Sequence, residues 1–189
     1  GGGIMSKYFI QREDAFLLVI DIQENLFKAM KEKVQEILKR NASILLNSAL
    51  KMNIPVIVSE QYRKGLGLTI GELQDYIPDD DNYEKIHFDC TRDTSLFEAI
   101  EKKGKKTAII TGIESHICVF QTAVSLLDRG YNVVIASDAV ASRRKNDWLQ
   151  ALSMLEKAGA LVYPVETIVF MLLEKAGTPE FRYLSPLFK

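Results

Sequence analysis

Hydrophobic positions along the chain fall into two alternating textures. Four runs of strand length are apolar almost throughout: 15–21 (AFLLVID), 54–61 (IPVIVSEQ), 106–113 (KTAIITGI) and 132–140 (NVVIASDAV). A fifth, 160–166 (ALVYPVE), is similar, and 83–89 (YEKIHFD) alternates as a shorter strand would. Between them, apolar residues recur at helical spacing. The longest such segment runs for about 20 residues through EKVQEILKRNASILLNSALKMN, with Val34, Ile37, Leu38, Ile44, Leu45 and Leu46 on its apolar faces. Further helices are predicted over 94–104, 115–130, 147–159 and 167–177, with Thr94 as an N-cap and Gly104 and Gly130 as stop signals. Segment 63–78 carries three glycines and reads as a loop with one short helix, and 178–189 reads as a tail.

Six strands alternating with helices imply a parallel sheet, right-handed crossovers and helices on both faces. In such a sheet, ligands bind at the carboxyl ends of the strands. Those ends carry Asp21, Glu60 to Tyr62, the Lys85–Asp89 stretch, Ile113 to Cys118, and Ser137–Asp138. A carboxylate, a lysine and a cysteine therefore converge on one rim.

Composition narrows the function. The 189 residues suffice for one domain with its own core, assigned to 6–189, and GGGIM reads as a cloning remnant ahead of natural residues. A net charge of −1 gives no field for nucleic acid and no polybasic membrane patch, and the short EKKGKK and SRRKND clusters read as solvated helix ends or loops. No apolar stretch approaches membrane-span length. Two cysteines without a CxxC or Cys/His spacing exclude a disulfide framework and a zinc site, so a cytoplasmic protein with reduced thiols and no cofactor is expected.

Each candidate has an ordinary alternative. Asp21 could be a helix cap or turn former. Cys118 could be buried filler, but its place in a first helical turn would favour a thiolate and offer backbone N–H groups to an oxyanion. Lys85 beside that thiol would stabilise its charge, and Asp21 could carry the thiol proton. His116 lies two residues from Cys118, so the two side chains do not face each other on a helix; it is assigned to the rim or to structure. Cys90 is assigned to packing.

These residues resemble the isochorismatase-like cysteine hydrolases. The likeness runs from LLVIDIQ through SEQYRKGLG, EKIHFD and TGIESHICVFQTAVSLLDRGYNVVIASDAVASR to ALSMLEKAGALVYPVE. EQYRKGLGLTIGEL beside GIESHICV is most similar to the isochorismatase-domain-containing proteins and their bacterial relatives. The resemblance implies a three-layer α/β/α sandwich on a six-stranded parallel sheet and an Asp21–Lys85–Cys118 triad. It also implies a cis peptide between Ile113 and Glu114, with the Glu114 and Cys118 N–H groups as an oxyanion hole. Gln23, Leu26, Tyr62, Ile113 and Ile117 would border a small-molecule substrate, and a homo-oligomer is expected. Two departures shape the activity. Family nicotinamidases hold a metal with an Asp-x-His pair after the second strand and a later His, whereas this chain has SEQYRKG there and no histidine between Asp21 and Lys85. Isochorismatases that cleave a vinyl ether lack the nucleophilic cysteine present here. The expected activity is metal-independent hydrolysis of a small amide or carbamoyl C–N bond through a Cys118 acyl-enzyme. The alternatives are a non-catalytic binding or scaffold module, and a redox sensor, for which no local resolving thiol is evident.

Overall fold

Strand β1 (Ala15–Ile20) is buried at every residue, because its two sides feed two different cores. Leu17 and Val19 join one apolar cluster, while Phe16, Leu18 and Ile20 join the other. That period-two division explains why the run is continuously apolar instead of alternating. In the computed structural model, which describes residues 6–189, the elements follow in order. After β1 come α1 (Glu24–Lys28), α2 (Glu32–Lys51), β2 (Val56–Gln61), α3 (Arg63–Leu66) and β3 (Asn82–Lys85). Then follow α4 (Thr94–Lys102), β4 (Thr107–Ile113), α5 (Phe120–Asp128), β5 (Asn132–Ala141), α6 (Lys145–Ala158), β6 (Leu161–Tyr163), α7 (Val165–Leu173) and α8 (Pro179–Leu184). The expectation for residues 1–5 lies outside the described residues.

The six strands form one sheet in the order β3-β2-β1-β4-β5-β6, and every pairing is parallel. Helices α2 and α7 cover the face carrying Leu17 and Val19; α4, α5 and α6 cover the other. The chain winds outward from β1 in one direction and from β4 in the other. The reversal leaves a crevice at the carboxyl ends of these two central strands.

Gly112 sets how closely those strands approach. It pairs with Ile20, has φ +148°, and a Cβ built on it would lie 2.2 Å from the Ile20 carbonyl oxygen. No side chain fits there.

Three of the departures from the sequence expectation have a plain local reason. β3 ends at Lys85 instead of reaching residue 89, because the chain curls back to place the carbonyls of His87 and Phe88 on the Lys85 ammonium at 2.9 and 3.0 Å. β6 stops at Tyr163, because Pro164 takes the N-cap position of α7. The tail is helical: Thr178 caps α8 by accepting from the Phe181 N–H at 3.1 Å, and Pro179 opens the helix.

Candidate active site

At the end of β1 the chain turns through Asp21, whose φ of 53° lies in the left-handed region that Asp tolerates better than most residues. The Asp21 N–H donates to the Ser59 carbonyl (3.0 Å), and its own carbonyl accepts from the Gln23 N–H (2.8 Å). Lys85 is the last residue of β3, two strands away. Cys118 follows β4. Between β4 and α5 the peptide joining Ile113 to Glu114 is cis, and Ser115–Val119 forms a π-turn in which the Val119 N–H donates to the Glu114 carbonyl at 3.2 Å. Such wide turns recur at functional sites, since they place an additional residue in the first helical turn.

Asp21, Lys85 and Cys118 come together as one buried group. Lys85 Nζ lies 2.9 Å from Asp21 Oδ2, with both side chains fully buried. The three ammonium protons, however, go to neutral oxygens: Gln61 Oε1 at 2.5 Å, His87 O at 2.9 Å and Phe88 O at 3.0 Å. Asp21 Oδ2 is a fourth oxygen beside the ammonium; the Lys85 contact is misaligned for a hydrogen bond, and the Cys118 thiol lies beside the same carboxylate as a donor. Oδ1 is occupied by the Ser59 hydroxyl at 2.8 Å. Among the described residues, two buried side-chain oxygens lack a hydrogen-bond partner, Asp21 Oδ2 and Ser115 Oγ, and both belong to this group of turns. Orphaned acceptors are costly in a folded protein, and their clustering marks a place where something else is to be bound or transferred.

Burial pushes the Asp21 carboxyl up, against the pull of the Lys85 charge and of its hydrogen-bond donors. Burial would lower the Lys85 pKa, but the Asp21 charge beside it outweighs that cost and holds the ammonium charged. The Cys118 thiol is pushed up by burial and then by the neighbouring Asp21 charge, with Lys85 opposing. The sequence expectation of a resting thiolate therefore gives way to a neutral thiol beside a carboxylate: desolvation outweighs the start of the helix and the lysine.

Other expected residues are distributed unevenly. Tyr62 sits on the rim at φ 36° and is exposed, and Ile117 and Leu26 are half-buried. Ile113 is fully buried in the core, so it backs the site and does not border it. Gln23 is also fully buried. Its amide donates to the carbonyls of Gln61 and Gly67, both at 2.8 Å, and accepts from the Gln61 N–H at 2.6 Å, so it clamps the ends of β1 and β2 and has no polar atom left for a substrate. His116 is structural: Nδ1 lies 2.8 Å from Ser142 Oγ and Nε2 3.8 Å from Asp147 Oδ2.

Three contacts were not anticipated. The Glu114 side chain accepts from Arg143 N and Nε at 2.9 and 3.0 Å, tying the turn before Cys118 to the end of β5. Cys90 packs in the buried apolar cluster, as assigned, but its thiol also lies on Ser59 Oγ at 3.7 Å, one residue from Asp21. Gln61 holds Lys85. The signal in the sequence was the polar trio Ser59–Glu60–Gln61 closing an otherwise apolar strand. Among the described residues, no group of three or more His, Cys, Asp or Glu side chains is placed to hold a metal ion.

A parallel doubly wound sheet with this trio at its crevice describes a class of small α/β hydrolases. The isochorismatase domain matches residues 15–167, and the chain belongs to the isochorismatase family of hydrolases. It is 32% identical over 179 residues to the secreted isochorismatase effector Isc1 of Phytophthora sojae, covering 92% of this chain and 83% of that one. Isochorismatase domain-containing protein 2 of Xenopus laevis is 34% identical over 146 residues, 77% and 70% of the two chains. Among solved structures, MAR1 ribonuclease from Caenorhabditis elegans superposes with a TM-score of 0.86 at 31% identity, covering 95% of this chain and 91% of that one.

Proposed function

We propose that the chain is a metal-independent cysteine hydrolase that cleaves the C–N bond of a small amide or carbamoyl compound. The observation that carries this reading is the open Asp21 Oδ2, which faces a charge-fixed Lys85 and a neutral Cys118 thiol. Cys118 Sγ attacks the carbonyl carbon while its proton passes to Asp21 Oδ2. The carbonyl oxygen becomes an oxyanion held by the Glu114 and Cys118 N–H groups. The tetrahedral intermediate collapses, the C–N bond breaks, and Asp21 returns the proton to the departing nitrogen. Water then attacks the thioester, again giving its proton to Asp21; the acid leaves and the thiol is restored. A carboxyl whose pKa is raised by burial is a better base near neutrality than an ordinary aspartate. Metal independence is supported by the residues closing β2, where Glu60, Gln61 and the following Tyr62 stand in place of an Asp-x-His pair.

The substrate entrance is bordered by exposed apolar side chains. Tyr62 and Leu68 follow β2, and Ile86 and Phe88 follow β3. This rim supports a homo-oligomer in which a second copy covers the loops around the site. No described helix is long and apolar enough to cross a membrane. A cytoplasmic setting is supported by two free thiols, although one relative bears the name of a secreted effector.

The test compares wild type with Cys118→Ala on a panel of small amides, carbamates and esters, with a short RNA included because of the ribonuclease relative. Turnover of a C–N substrate by wild type alone is expected. Equal residual rates in both proteins would replace this reading with a non-catalytic binding module, and RNA cleavage surviving Cys118→Ala would overturn the chemistry.

A further inference from the structure

The pleat of β2 sends Ser59 and Gln61 to one face of the sheet and Glu60 to the other. Glu60 serves the loop: it accepts from Arg63 Nε at 2.7 Å and from the Thr69 N–H and hydroxyl, both at 2.6 Å. Ser59 and Gln61 meet the charged pair instead. Ser59 Oγ donates to Asp21 Oδ1 at 2.8 Å and accepts the Cys90 thiol at 3.7 Å, so the hydroxyl proton has one direction open to it. The Cys90 thiol can donate because burial pushes its pKa up to about 11. Gln61 Nε2 donates to the Ile86 carbonyl at 2.7 Å, which turns Oε1 toward Lys85 Nζ at 2.5 Å. Two neighbouring residues on one strand face thus hold the two partners of an ion pair that arrive from different strands.

We propose that Ser59 and Gln61 are positioning residues that give the two oxygens of Asp21 different tasks. Ser59 occupies Oδ1. Gln61 draws off a Lys85 proton that would otherwise turn to Oδ2, so Oδ2 stays open for the Cys118 proton. The inference rests on the cysteine-hydrolase reading and adds to it the device that keeps the base available. The titratable groups facing Asp21 are Lys85 from β3, Cys118 from the π-turn and, through Ser59, Cys90 from the segment after β3.

The two residues act on Asp21 with opposite sign. Removing the Ser59 donor takes away a hydrogen bond that favours the carboxylate, so Asp21 becomes easier to protonate. Removing the Gln61 acceptor frees an ammonium proton for Oδ2, so the carboxylate is held more firmly and becomes a weaker base. The measurement is the rate of Cys118 alkylation by iodoacetamide in the intact folded chain between pH 4 and 9, followed by peptide mass spectrometry, with circular dichroism and thermal melting of each variant. Wild type should show an acidic limb set by ionisation of Asp21. Ser59→Ala should move that limb up by about one pH unit, the size of one hydrogen bond to a charged group. Ser59→Thr should return it. Gln61→Met should move it down and also lower the plateau rate. Limbs that stay at the wild-type position, or that move the same way in both variants, would overturn the proposal. Loss of fold in Ser59→Ala would assign the hydroxyl to stability and overturn its positioning role. Selective labelling of Cys90 in wild type would instead overturn the cysteine-hydrolase reading itself.

Discussion

A fully buried lysine with a carboxylate at 2.9 Å is held in place by what surrounds both groups. Lys85 is 1% exposed, yet every proton of its ammonium has an oxygen, and Asp21 supplies the compensating charge. Taking away one member of such a pair strands the other. Lys85→Met should destabilise the fold by about 3–5 kcal/mol in denaturant unfolding, and adding Asp21→Asn should recover much of that loss. The double variant should remain inactive, which separates the structural use of the pair from its chemical use. Asp21→Asn alone keeps the shape of the side chain but removes the base and strands the Lys85 charge, so its unfolding is measured beside its activity. Turnover of a C–N substrate should then fall by about 10²–10⁴, measured as kcat, with KM little changed.

Among the elements, the junction of β1 and β4 matters most for the site, because Asp21 leaves one strand and the Cys118 turn leaves the other. Gly112 allows their close contact. Gly112→Ala should cost at least about 2 kcal/mol in unfolding free energy, since a Cβ there meets backbone and not a movable side chain. It should also depress activity in the fraction that still folds, because the carboxylate and the thiol move apart with their strands. The strands themselves were legible in the sequence: buried parallel strands are apolar throughout, and β1, β2, β4 and β5 announce themselves in that way. The meeting of Asp21, Lys85 and Cys118 at one rim was legible too, because the carboxyl ends of the central strands converge on one crevice in this architecture. The course of the chain after Lys85 was not, since the bonds that curl it join a side chain to carbonyls two and three residues on. Nor was the π-turn, because the apolar spacing of 115–130 reads the same whether its first turn is α or wider. The Ser59 and Gln61 contacts escaped for another reason: they join residues 38 and 24 positions apart.

For the whole molecule, alkaline stability follows from the buried thiols. The ordinary thiol value is 9.0, and burial holds Cys90 at about 11. Below pH 9 both the folded and the unfolded chain keep this proton. Between pH 9 and 11 the unfolded chain releases it while the folded chain retains it, so stability falls as pH rises. The loss from Cys90 alone is ~2 kcal/mol by pH 11. Urea unfolding at pH 8 and pH 11 should show this drop, reduced in Cys90→Val. Lys85 and Cys118, both raised, add to the fall in the same direction and leave a residual slope in that variant. At the acidic end Glu60 acts the other way: Thr69 and Arg63 overcome its burial and hold its pKa low, so its contribution is present above pH 4.5 and lost below. Asp21, raised by burial above the ordinary 3.8, works against Glu60: the stability it contributes at acid pH is lost as pH rises through its folded value, so the acidic flank is set by the balance of the two carboxyls and not by a flat plateau.

The full occupancy of the Lys85 ammonium has one further consequence. With Gln61, His87 and Phe88 accepting from its ammonium and Asp21 at 2.9 Å, the lysine is a fixed charge, and in the hydrolysis proposed above it moves no proton. A single hydrogen is then in flight at any transition state, shared between sulfur or water and one carboxylate oxygen. Rates measured in mixtures of light and heavy water should accordingly vary linearly with the deuterium fraction, whereas a bowed curve would mean that the ammonium joins the relay.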